Sequence, residues 1–98
     1  METKKVITNV TMVVRAEFID QVLLLAKSTR EQILQEEGCE TFILNRKIQE
    51  PNTLVLLAIY TSEQAYSWHN QQTYVKVFFA FLKDKLEGTP LVEFLQEL

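Results

Sequence analysis

Near the middle of the chain seven residues, Leu54 to Tyr60, run LVLLAIY without a charged or amide side chain. The run is far short of the roughly 20 apolar residues that a membrane-spanning helix needs. It follows a stretch with the composition of a tight turn, Glu50-Pro51-Asn52-Thr53, and reads as a strand that is buried, or nearly so, on both faces. A sheet built around such a strand needs a cover on each side. The helices of a 98-residue chain suffice for one side only. The expectation is therefore a homodimer, in which a second copy covers the other side.

The remaining elements fall around this strand. From Val6 to Ala16 the β-branched content is high, and alternation puts Val6, Thr8, Val10, Met12 and Val14 on one face. Ile7, Asn9, Thr11, Val13 and Arg15 lie on the other. A helix is predicted from Asp20 to Glu36, with Val22, Leu25, Ala26, Thr29 and Ile33 on its inner stripe. Asp20 serves as its cap and Gly38 as its stop. Its charges, Lys27, Arg30, Glu31 and Glu36, read as a solvated face. Cys39 to Gln49 is a second strand, forming a hairpin with Leu54–Tyr60. Thr61-Ser62-Glu63-Gln64 has the pattern of a capping box and opens a short helix to about Gln71. Thr73 caps a second helical run to about Leu86. Gly88-Thr89-Pro90 ends it, and Leu91 to Gln96 forms a closing strand. The order is β-α-β-β-α-β, a ferredoxin-like α+β fold with an antiparallel sheet and its helices on one face.

Composition narrows the function classes. The length predicts a single domain over residues 1–98, and 2 Gly with 2 Pro predict mostly regular structure. Ten basic against 13 acidic residues, with no basic stripe, argue against a nucleic-acid partner. No run argues for a membrane partner. The start METKKVITNV lacks the apolar core of a signal peptide, and the single Cys39 has no internal disulfide partner. The expected setting is the cytoplasm.

One His and one Cys, with no ligand-like spacing of acids, predict no metal site. Glycine is too scarce for a phosphate loop. Cys39 reads as a small buried hydrophobe rather than a nucleophile. The informative cluster is Tyr60, Trp68, His69 and Tyr74. Trp68 reads either as a core or interface anchor or as a pocket wall, and His69 either as a helix-surface histidine or as a proton acceptor. With Asn9 and Arg15 as polar groups from the first strand, the cluster describes a pocket for a flat, apolar, aromatic small molecule. The site is expected between the sheet and the helix that carries Trp68, with Asn9 and His69 converging there.

The chain resembles the antibiotic biosynthesis monooxygenase domain family. The residues that carry the resemblance are the strand Asn9–Arg15, Glu36-Glu37-Gly38-Cys39-Glu40-Thr41-Phe42, Pro51-Asn52-Thr53, Ser62-Glu63-Gln64-Ala65 leading to His69, and Phe78 to Leu82. The resemblance implies a ferredoxin-like subunit of the dimeric α+β barrel type and a homodimer made by sheet packing. It also implies oxidation of a small hydroquinone or polycyclic phenol by dioxygen with no cofactor. In that reading His69 accepts the substrate proton and Asn9 hydrogen-bonds the phenolate or peroxy oxygen. Tyr60, Trp68 and Tyr74 shape the slot, and Arg15 adds a polar contact. Where the family often has an acid and then Trp at the end of the third strand, this chain has Ala58 and Tyr60. Where it has a His-Phe pair, this chain has Tyr74-Val75. The alternative is a non-catalytic dimer of the same fold, either binding a small molecule or serving a structural role. Haem degradation, known in a neighbouring branch, is not expected, because the position of the haem-ligating histidine falls near Phe78.

Overall fold

A computed structural model describes residues 4–98. The strands are β1 (Val6–Val13), β2 (Cys39–Arg46), β3 (Thr53–Tyr60) and β4 (Leu91–Leu95). The helices are α1 (Ile19–Ile33), α2 (Glu63–Asn70) and α3 (Thr73–Leu82). The expectation that no signal peptide precedes β1 rests partly on residues 1–3, which lie outside the described residues.

All strand pairs are antiparallel, in the order β2-β3-β1-β4, and β3 is central as its composition requires. Along β3 the burial alternates. Leu54, Leu56, Ala58 and Tyr60 are buried beneath the helices, whereas Val55, Leu57 and Ile59 are half-buried on the far face. The register pairs Thr8 with Ala58 and Met12 with Leu54, so Thr8, Val10 and Met12 look toward the helices. Met12, Val14, Val22, Ala26, Leu54, Leu56, Phe78, Leu82 and Leu86 form the core.

The expectation of a barrel is wrong. The sheet is open: β2 and β4 are its two edges, and neither pairs with the other. Closure demands strand number, tilt and stagger that bring the last strand onto the first, and about eight strands give a side-chain-filled interior. Four strands covered by one helical layer do not meet that condition.

Several boundaries also move. α1 is not capped by Asp20. A 3₁₀ turn, Ala16–Phe18, feeds it directly, and no side chain caps it. Phe18 and Ile19 pack on the core there, so apolar burial sets the helix start. α1 ends at Ile33, three residues before Glu36. The cap of α2 is Ser62 rather than Thr61, with its Oγ accepting from the Ala65 N–H at 3.1 Å. α3 stops at Leu82, short of Leu86. Gly38 is not a left-handed helix stop, since Gly88 alone among the described residues has a positive φ, 85°. Gly38 serves instead in a close approach. A Cβ built on it would lie 2.4 Å from the Ala65 Cβ, so α2 reaches the α1–β2 turn only because no side chain intervenes.

Candidate functional site

Four junctions of the fold deliver one side chain each to a single point. Glu36 comes from the α1–β2 turn, where its N–H donates to the Ile33 carbonyl and its own carbonyl accepts from Cys39 N–H. Tyr60 closes β3, His69 lies in the last turn of α2, and Tyr74 lies in the first turn of α3. Glu36 and His69 are 7% and 6% exposed, and Tyr60 only 2%.

His69 Nδ1 lies 2.9 Å from Glu36 Oε2 and 3.1 Å from Oε1, and His69 Nε2 lies 3.1 Å from the Tyr60 hydroxyl. The Tyr74 hydroxyl donates to Glu36 Oε2 at 2.6 Å. With the imidazole proton on Nδ1, facing the carboxylate, Nε2 is an acceptor within reach of the Tyr60 hydroxyl. Burial above all, with the negative potential of the groups around it, pushes the Tyr60 phenol well above the usual tyrosine range. Tyr74 is pushed up as well, by burial and by its hydrogen bond to Glu36. Both phenols are therefore held as donors.

The Tyr60–His69 end of this chain forms part of the wall of a cavity of about 60 Å³ between the sheet and the helices. The other walls are largely apolar, including Ala26, Phe42, Leu56, Ala58, Val75 and Phe78. Phe79 and Asn70 are its exposed lining residues and mark the mouth, and Tyr66 is half-buried. Tyr66 packs edge-on against Phe94 of β4 at 5.9 Å between ring centroids. Among the described residues no three His, Cys, Asp or Glu side chains gather as a metal set. No helix there is long and apolar enough to cross a membrane.

The structure brings together three of the residues singled out from sequence: Tyr60, His69 and Tyr74. Asn9 does not join them. It pairs with Leu57 and Glu93 on the sheet face turned away from the helices, because side chains alternate along β1 and Thr8 takes the inner position. Within one subunit Asn9 and His69 cannot share a substrate. Arg15 lies beyond the end of β1, exposed, with its Nε donating to the Leu86 carbonyl at 3.3 Å. Trp68 is 52% exposed and points outward beside Gln35, Glu37 and Ala65, about 100° round the helix from His69. Cys39 donates to the Thr41 carbonyl at 3.4 Å, and burial pushes its thiol up.

By charge Glu36 belongs to a solvated face of α1, whereas the structure buries it. A signal for it exists. The buried stripe of α1, Val22, Ala26, Thr29 and Ile33, advances by four, three and four, and a further step of three lands on Glu36. A carboxylate on the continuation of an apolar stripe needs a buried partner. Tyr66 too lies outside the residues singled out from sequence. It sits three residues before His69 on α2, stacked on its ring at 6.4 Å, as helical spacing allows.

A family model for the antibiotic biosynthesis monooxygenases matches residues 5–80. No curated protein matches the sequence. Among solved structures, the chain is similar to a conserved protein from Methanosarcina mazei Go1. The TM-score is 0.91 at 21% identity, over 98% of this chain and 95% of that one. A candidate antibiotic biosynthesis monooxygenase from Nitrosomonas europaea gives a TM-score of 0.92 at 15% identity, over 100% and 94%. Another from Caulobacter crescentus CB15 gives 0.90 at 21%, over 98% and 92%. At these identities the likeness is one of fold.

Proposed function

This chain belongs to the antibiotic biosynthesis monooxygenase family, and we propose that it oxidises a small single-ring hydroquinone or phenol with dioxygen, at the cavity beside His69. The observation that carries the reading is the buried chain Glu36–His69–Tyr60, which ends on an apolar cavity wall. The substrate hydroxyl sits against Tyr60. As its proton passes to the Tyr60 oxygen, the Tyr60 proton passes to His69 Nε2, and Glu36 stabilises the imidazolium that results. The phenolate gives one electron to dioxygen, and the phenoxyl radical (a semiquinone where the substrate is a hydroquinone) and superoxide combine at ring carbon. Loss of water from that hydroperoxide, with the imidazolium returning its proton, yields the quinone. One phenol and one dioxygen give one quinone and one water, and one hydroquinone and one dioxygen give one hydroxyquinone and one water, so no outside reductant is required. Ala58 leaves room over β3 for the ring, and Glu36 supplies the carboxylate that Ala58 lacks.

Cavity size bounds the substrate. A cavity of about 150 Å³ accepts benzene, and this one measures about 60 Å³. A single ring needs side-chain movement at the mouth, where Phe79 is 41% exposed; a polycyclic phenol needs considerably more. The same small volume favours the second reading, a non-catalytic member that holds a small ligand. Oxygen uptake on a panel of single-ring hydroquinones, run with and without chelator, separates the two. The oxidation reading expects uptake that survives chelation and falls at least about 100-fold in His69→Ala. Saturable binding with no uptake establishes the binding protein instead.

In this reading residues 1–98 act as one domain in a homodimer. The face of the sheet away from the helices presents Ile43, Leu91 and Leu95, each 46–56% exposed, beside half-buried Leu57 and Ile59. A second copy packed there covers them. A lone free Cys39 fits a reducing, cytoplasmic setting.

A further inference from the structure

Thr8 stands on the inner face of β1 and is 4% exposed. It is one of four largely buried residues with polar side-chain atoms in the cavity lining, the others being Thr29, Tyr60 and His69. Three of these are committed. Thr29 donates to the Leu25 carbonyl at 2.8 Å, and Tyr60 and His69 hold each other. The Thr8 hydroxyl has no hydrogen-bond partner among the described residues. None of the side-chain nitrogen or oxygen atoms there that are fully closed off from solvent lacks a partner. The Thr8 hydroxyl therefore touches open space, and the cavity is the space it lines. Valine would fill the same volume, so in this largely apolar wall the hydroxyl is the group that a ligand oxygen can use.

We infer that the Thr8 hydroxyl is the second anchor of the cavity and selects a ring carrying two oxygens over a ring carrying one. Thr8 pairs with Ala58 on one side and Phe94 on the other, while Tyr60 pairs with Val6. Thr8 and Tyr60 are thus diagonal neighbours on one sheet face, about 7–8 Å apart at the backbone. Ala58 neighbours both on that face, so a ring laid over Ala58 borders both residues. One ring oxygen meets Tyr60 and His69; the other meets Thr8. This rests on the reading of the cavity as a ring-binding site, and it names the substrate class as dioxygenated.

Anaerobic calorimetry tests it, using para-hydroquinone and para-cresol on the wild type, Thr8→Val and Thr8→Ser. The wild type is expected to bind the hydroquinone several-fold tighter than the cresol, up to the about tenfold that one neutral hydrogen bond provides. Thr8→Val abolishes that preference while cresol binding stays within about twofold, and Thr8→Ser restores it. The inference is overturned if Thr8→Val keeps the preference, if the wild type has none, or if neither ring binds. Oxygen uptake measured separately reports on the oxidation. A Thr8-dependent preference without uptake overturns the oxidation and leaves the anchor standing. Uptake with the preference unchanged in Thr8→Val does the reverse.

Discussion

At Glu36 one carboxylate accepts from both His69 Nδ1–H and the Tyr74 hydroxyl, so removing it orphans one buried donor, on His69, and one half-buried donor, on Tyr74. The buried His69 donor costs about 1–3 kcal/mol when orphaned, and the half-buried Tyr74 hydroxyl less. Glu36→Ala is therefore expected to lower the urea midpoint markedly. Glu36→Gln should cost less, because an amide oxygen still accepts. A Glu36→Ala as stable as wild type would show that the cluster contributes little to folding. Tyr60 adds a pH dependence. Its phenol is pushed up on folding, so above the unfolded value near 10 the unfolded chain loses a proton that the folded chain keeps. This contribution is whole below about pH 10 and declines above it, steepening toward about 1.4 kcal/mol per pH unit. Urea unfolding followed from pH 8 to 11 should show that decline, and Tyr60→Phe should flatten it. An unchanged slope in Tyr60→Phe would assign the decline to other groups.

Among the secondary elements, α2 is the one whose placement makes or breaks the site. It carries His69 on its inner side and Trp68 on its outer side, and Gly38 sets its distance from the α1–β2 turn. A methyl at Gly38 would meet the Ala65 Cβ at 2.4 Å. Gly38→Ala is expected to push α2 outward and destabilise by about 1–3 kcal/mol, as overpacking does. For a domain of this size each kcal/mol corresponds to about 4–8 °C in Tm. The shift also lengthens the Glu36–His69 bond, so the His69 Nδ1–H signal in proton NMR should move or exchange faster. A Tm within a degree of wild type would mean that the turn yields more easily than its geometry implies. Ser62→Ala removes the α2 cap alone and should cost about 1 kcal/mol.

For the whole molecule, the open sheet is the consequential feature. The dimensions are 48 × 29 × 20 Å, and the thin direction holds one helical layer on one sheet. The apolar residues on the other side lack a cover from the chain's own helices. Light scattering at micromolar concentration should return twice the 11.5 kDa of one chain. Ile43→Asp with Leu95→Asp should return one, with the far-UV circular dichroism unchanged. A wild-type monomer would overturn the pairing through this face.

The amino-acid pattern by itself determined the element order, the apolar character of β3 and the inner stripe of α1. Those follow from periods of two and 3.6 and from the absence of polar residues in Leu54–Tyr60, all local properties of the chain. It also singled out Tyr60, His69 and Tyr74. Tertiary structure decided the rest. Asn9 and His69 both carry useful chemistry, yet whether they meet depends on which face of β1 turns inward, and burying Thr8 and Met12 sends Asn9 to the other side. Glu36 looks solvated by charge alone; it is buried because α2, held close by Gly38, brings a histidine onto it. The barrel failed for a similar reason, since closure is a property of strand number and stagger across the sheet, which no single strand's composition encodes.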